Sequence, residues 1–131
     1  MSSLNDSMFA RPPVFATSEG LGMLRQIAGE ARGSQAPGLL DEELERITVV
    51  RGEDGGAHVA VGSHVTYKDL RTKHLRRVEI VAAPTTAENE AKVSVLSPVG
   101  AALIGLTTGA IFRWREASGQ VRAVKVVSIE A

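Results

Sequence analysis

Asp41, Glu42 and Glu43 stand side by side in "GLLDEELERI" and form the densest carboxylate group of the chain. Carboxylates gathered at one point can hold a divalent cation and orient an attacking water. In the first turn of a helix the same residues have a simpler use, because acids there complement the positive end of the backbone dipole. His58, His64 and His74 lack the spacing of a metal-ligand set and read as surface or linker residues. The absence of cysteine removes thiolate nucleophiles, disulfides and Cys-based zinc sites. "RGEDGG" is Gly-rich, but it has neither the lysine nor the following helix of a phosphate-binding loop. Beyond the three acids, these residue types offer no catalytic constellation and imply no cofactor.

A second group is cationic. Lys68, Arg71, Lys73, Arg76 and Arg77 fall within ten positions, on what reads as strand, turn and strand. Such a group can face nucleic acid or an acidic protein surface, or it can be a solvated hairpin. The wider charge pattern is uneven. Residues 1–63 carry 5 basic and 9 acidic side chains, and residues 64–131 carry 10 and 6, so a net −4 precedes a net +4. An acidic front and a basic back suggest two modules in different surroundings. The chain's 131 residues make about one domain, and its 44% hydrophobic content is that of a globular protein. "MSSLNDSMFARPP" has no basic stretch followed by an apolar run, so it does not read as a secretory signal. No apolar run approaches the ~18 residues of a membrane span. The expectation is a cytoplasmic protein with no membrane contact.

The elements that must position these groups follow from periodicity. Residues 1–16 read as a polar, loosely attached arm whose end, Val14-Phe15-Ala16, can add an edge strand. From Thr17 or Ser18 the apolar period becomes helical: Leu21, Leu24, Ile27, Ala28 and Ala31 share a face. Gly20, Gly22 and Gly29 each weaken that helix by up to ~1 kcal/mol against alanine, so it must lean on a neighbour. "RGSQAPG" at 32–38 is a turn, and Leu40, Leu44 and Ile47 predict a second helix of about a dozen residues. Two helices on a short loop should lie antiparallel, giving a helical hairpin over residues 17–51. "RGEDGGAH" then reads as a linker, and residues 59–131 as a separate module able to fold alone.

That module alternates like a sheet. Val65 and Tyr67, Val78 and Ile80, and Phe112 and Trp114 each face one side of a strand, with "KVSVLS" and "VRAVKVVSIE" as further strands. One short helix interrupts them. Ser97 is a good N-cap, Pro98 suits the first helical position, and Gly105 can adopt the left-handed conformation that stops a helix. The expected fold class is α+β: a short antiparallel helical hairpin, then a bent antiparallel sheet of about five strands with one short helix.

"VGSHVTYKDL", "VSVLSPVGAALIGL" and the glycine-to-tryptophan stretch ending at Trp114 carry a resemblance. They resemble the C-terminal domain of the bacterial GreA/GreB transcription elongation factors, and more closely the Rnk-type regulators of nucleoside diphosphate kinase within that family. The resemblance covers about residues 59–130. It implies a fold like that of the FK506-binding proteins behind a coiled-coil hairpin. It also implies a partner, bacterial RNA polymerase, gripped at the rim of its secondary channel, with nucleic acid near only indirectly; a monomer is the separate expectation. The polymerase-docking residues it suggests are Ser97, Pro98, Val99, Gly100, Leu103, Ile104 and Gly105, with Arg71, Lys73, Arg76 and Arg77 of the basic group.

Gre factors stimulate transcript cleavage through acids at the hairpin tip. This chain departs from that pattern, since residues 32–38 contain no carboxylate. Asp41 and Glu42 are the nearest acids. A dozen-residue helix reaches only about 20 Å at 1.5 Å per residue. The expected function is therefore polymerase binding without cleavage. The alternatives are a short cleavage stimulator using Asp41 and Glu42, or an adaptor acting on nucleotide metabolism. Prolyl isomerase activity would rest on fold analogy alone.

Overall fold

The computed structural model describes residues 11–32, 39–51, 57–82, 91–116 and 118–130. Its elements run β1 (Val14–Ala16), α1 (Ser18–Arg32), α2 (Leu39–Leu44), β2 (Ile47–Val49), β3 (His64–Asp69), β4 (Leu75–Val81), β5 (Lys92–Ser94), α3 (Pro98–Leu103), β6 (Ile111–Arg115) and β7 (Val121–Glu130). The class is α+β, as the alternating patterns predict.

Five strands form one sheet in the order β5-β4-β3-β7-β6, and β1 pairs with β2 in a second, two-stranded sheet. Period-two patterning sets the register. Val65 lies opposite Val78, Tyr67 opposite Val126, and Phe112 opposite Val124, so each pair points to one face. All six side chains are buried there. The register between β3 and β7 shifts at Thr66/Tyr67, a bulge that bends the ribbon and exposes Val127.

The structure corrects two expectations. The large sheet is mixed: β4 and β5 run parallel, with Glu79 beside Lys92 and Val81 beside Ser94. The stretch between Val81 and Lys92 is too long for a tight hairpin, and parallel strands need such a crossover. The second helix is also shorter than expected, ending at Leu44 after six residues. Ile47, assigned by its period to that helix, instead lies in β2 opposite Val14. The run Ile47-Thr48-Val49-Val50 is β-branched throughout and prefers the extended chain.

α3 covers the inner face of the large sheet. Ala101, Ala102, Leu103 and Ile104 are buried in one cluster with Val65, Tyr67, Val78, Ile80, Phe112, Val124 and Val126. Each larger side chain buried this way contributes about 1.5–3 kcal/mol. The same cluster contains Val14, Leu24, Ala28 and Leu40 from the N-terminal segment. Backbone bonds reinforce that junction: the Phe15 N–H donates to the Gly105 carbonyl at 2.8 Å, and the Gly105 N–H to Val59 at 2.8 Å. Residues 52–56, the centre of the expected linker, lie outside the described residues.

Candidate functional site

α3 begins as its sequence requires. Ser97 is extended, and its hydroxyl accepts from the Gly100 N–H at 3.2 Å while donating to the Ser94 carbonyl at 2.6 Å. Pro98 takes the first turn, where a missing N–H costs nothing. Gly100 is there for space: a Cβ would come within 1.9 Å of the Ser94 carbonyl oxygen. Gly105 is there for conformation and space. Its φ is +79°, and a Cβ would meet the Phe15 backbone at 3.0 Å. The candidate docking residues therefore divide. Gly100, Leu103, Ile104 and Gly105 are buried and shape the element, whereas Pro98 is exposed and Ser97 and Val99 are half-buried.

The basic residues are all on the surface. Arg71, Lys73, Arg76 and Arg77 are exposed, and Lys68 is half-buried on the sheet face opposite α3. The turn between β3 and β4 is set by Asp69, whose carboxylate accepts from the Arg71 N–H at 2.9 Å and ion-pairs with Arg122 at 3.0 Å. Lys73 adopts a left-handed φ of 68°. Burial pushes the Asp69 carboxyl upward, but the Arg71 N–H, the Arg122 guanidinium and the Thr72 N–H outweigh it. The net pKa lies below the usual aspartate value. Arg71 Nη1 donates to Gln120 Oε1 at 2.6 Å, tying this turn to the one between β6 and β7. Arg77 pairs with Glu130, and its hydrogen bond and charge hold the Glu130 carboxyl below the ordinary range.

The acids near the helical turn are engaged by arginines. Glu43 is fully buried. Arg11 Nη1 donates to Glu43 Oε2 at 2.7 Å, and Arg46 Nη2 donates to Glu43 Oε1 at 3.0 Å. Arg11 also reaches Glu42 Oε1 at 3.1 Å and stacks its guanidinium 5.1 Å from the Phe112 ring centroid. Arg46 further donates to the Pro12 carbonyl at 2.7 Å. The end of the expected loose arm is thus fastened to α2 and to the large sheet. Glu42 stays largely exposed and Asp41 is half-buried. Among the described residues no three His, Cys, Asp or Glu side chains gather as a metal site. Residues 33–38, the acid-free loop, lie outside the described residues.

Sequence reasoning missed Arg11, Arg46 and Arg122 as organising residues. The Glu43–Arg46 spacing of three is legible as a helical pair. The Arg11–Glu43 contact, 32 positions apart, carries no local signal.

The family model described as transcription elongation factor, GreA/GreB, C-term, matches residues 54–131. The chain belongs to this GreA/GreB C-terminal family. The regulator of nucleoside diphosphate kinase of Escherichia coli K12 is 28% identical over 92 residues, covering 70% of this chain and 68% of that protein. The protein of the same name in Shigella flexneri matches with the same figures. Among solved structures, a prokaryotic transcription elongation factor GreA/GreB from Nitrosomonas europaea is similar with a TM-score of 0.67 and 26% identity, over 90% of this chain and 99% of that one. The GreA/GreB match contains α3, the basic turn and all five strands of the large sheet. The likeness to the Nitrosomonas structure extends into the N-terminal segment, given its coverage. No described helix is long and apolar enough to cross a membrane.

Proposed function

We propose that this GreA/GreB-family chain is a cytoplasmic regulator of transcription that binds bacterial RNA polymerase at the secondary-channel entrance. There it competes with or modulates other elongation factors without stimulating transcript cleavage. The observation that carries the cleavage-free reading is the state of the acids beside the helical turn. Glu43 is enclosed between Arg11 and Arg46, and Glu42 shares Arg11. A carboxylate neutralised by two guanidinium groups is a poor ligand for a second Mg²⁺. The reach is also small, since the 15 residues of α1 span only about 22 Å at 1.5 Å per residue.

Docking is assigned to the exposed start of α3 around Pro98 and to the basic strand–turn–strand of Arg71, Lys73, Arg76 and Arg77. The chain acts as a monomer, with no cofactor and with nucleic acid only nearby. Asp41 and the exposed Glu42 keep a second reading testable, that of a short cleavage stimulator. The name of the Escherichia coli relative supports a third, an adaptor reaching nucleotide metabolism.

The deciding experiment is capture of cognate RNA polymerase by the full chain, with and without a full-length Gre factor as competitor. Capture that the Gre factor displaces is expected; no capture overturns the proposal. Added to a backtracked elongation complex, the chain should leave cleavage at the polymerase's own rate. A rise abolished by Asp41→Asn with Glu42→Gln would establish the cleavage reading instead.

A further inference from the structure

The outer face of the large sheet, opposite α3, divides into two electrostatic halves. Toward the start of β3 the row is of mixed charge: Lys92, Glu79, His64 and Glu130, reading across β5, β4, β3 and β7. Toward the two hairpin turns the row is Leu75, Lys68, Lys125 and Ile111, reading across β4, β3, β7 and β6. Lys68 and Lys125 are directly opposed, an arrangement that disfavours the fold. Arg113, exposed on β6, sits on the diagonal from Lys125. No carboxylate among the described residues pairs with Lys68, Lys125 or Arg113. The acids at this end, Asp69 and Glu116, are taken by Arg122 on the other face.

The same half is dotted with exposed aliphatic side chains. Leu75 is 61% and Val121 39% exposed, and Val127 projects at the bulge. Among the described residues no aromatic ring joins them: Tyr67, Phe112 and Trp114 are buried, and Phe15 lies in β1. A face that bound single-stranded nucleic acid would offer rings for base stacking. Cations that no described carboxylate pairs with, set among aliphatic groups, suit a protein surface that offers carboxylates and aliphatic side chains together.

We propose that this half of the outer sheet face is a docking surface for an acidic protein segment bearing aliphatic side chains. The segment would lie across Lys68, Lys125 and Arg113 with its apolar groups on Leu75 and Val121. The surface goes beyond the polymerase contact at Pro98, from which the sheet separates it; it adjoins the basic turn of Arg71 to Arg77 but is centred on β3, β7 and β6, and its chemistry does not depend on which protein supplies the segment.

The probe is a fluorescein-labelled 20-residue peptide of glutamate and leucine in helical alternation, titrated against the full chain by anisotropy at low and moderate salt. Binding that weakens with salt is expected. The variant Lys68→Glu with Lys125→Glu should weaken it at least tenfold. That variant replaces one pair of opposed like charges by another, so its melting temperature should match the parent's and report an intact fold. Equal affinity in parent and variant overturns the proposal. So does equal affinity for a peptide with every leucine changed to serine, or tighter binding of a 20-nucleotide single strand or duplex, either of which would mark a surface for polyanions.

Discussion

Arg11 holds the buried carboxylate of Glu43 at 2.7 Å while its guanidinium covers the ring of Phe112. One side chain thereby joins three parts of the chain: the N-terminal stretch, α2 and β6. Hydrogen bonds to a buried charge are worth about 1.5–3 kcal/mol, whereas exposed ion pairs are worth about 0–1 kcal/mol. Arg11→Ala should therefore lower the unfolding free energy by about 1.5–3 kcal/mol. Glu42→Ala, which loses only the exposed arm of the same arginine, should cost under about 1 kcal/mol. Urea denaturation of both variants checks this. Equal effects would mean that the Glu43 contact contributes nothing beyond a surface pair.

Two glycines of the α3 element should resist even alanine, for different reasons. At Gly100 the added methyl would overlap the Ser94 carbonyl, and overpacking of this kind costs about 1–3 kcal/mol or more. At Gly105 the penalty is a left-handed backbone together with contact on Phe15, about 1–3 kcal/mol. Gly109→Ala is the control, since its φ of +89° is left-handed but open space surrounds it. Thermal melts should place Gly100→Ala and Gly105→Ala below Gly109→Ala.

Asp69 makes stability depend on acid pH. Its folded pKa is depressed, so the stability it contributes is present above the unfolded aspartate pKa of about 3.9 and is lost as pH falls through the folded value. Asp69→Asn keeps an oxygen for the Arg71 N–H but loses the charge facing Arg122. The variant should be less stable than the parent at neutral pH, and the gap should close as pH drops below about 4. A gap that stays constant down to the acid transition would show that the Arg122 pair contributes nothing.

Residues 57–131 contain the five-stranded sheet and α3 but not Val14, Leu24, Ala28 and Leu40 of the shared core. Expressed alone, this segment should still melt cooperatively, because the strands keep all their neighbours. Its melting temperature should fall below that of the full chain. Circular dichroism and limited proteolysis decide the matter: a non-cooperative, readily cleaved product would remove the boundary near residues 52–56.

Reversing two exposed charges tests the proposed polymerase contact without disturbing the core. Arg76→Glu with Arg77→Glu should weaken polymerase capture and reduce its salt dependence, while the melting temperature hardly moves. Arg77 faces the exposed Glu130, so its loss is a surface effect. Unchanged capture would remove the basic turn from the interface and leave the surface around Pro98.

What is local was legible in the order of the residues. Alternation at Val65 and Tyr67, Val78 and Ile80, and Phe112 and Trp114 defined strands and their buried faces, because a pleated chain turns successive side chains to opposite sides. Ser97, Pro98 and Gly105 marked both ends of α3, since capping and positive φ are properties of single residues. The exposure of Arg71, Lys73, Arg76 and Arg77 was legible for the same reason. What depends on distant partners emerged only with the folded chain. The parallel pairing of β4 with β5 and the paired strands at Val14 and Ile47 depend on which chains meet, and periodicity is silent on that. The same limit applies to the acids: Glu43, one of three adjacent carboxylates, became a buried anchor only because Arg11, 32 positions away, folds back to neutralise it. A carboxylate's role is fixed by the charge and solvent around it, and those come from the whole fold.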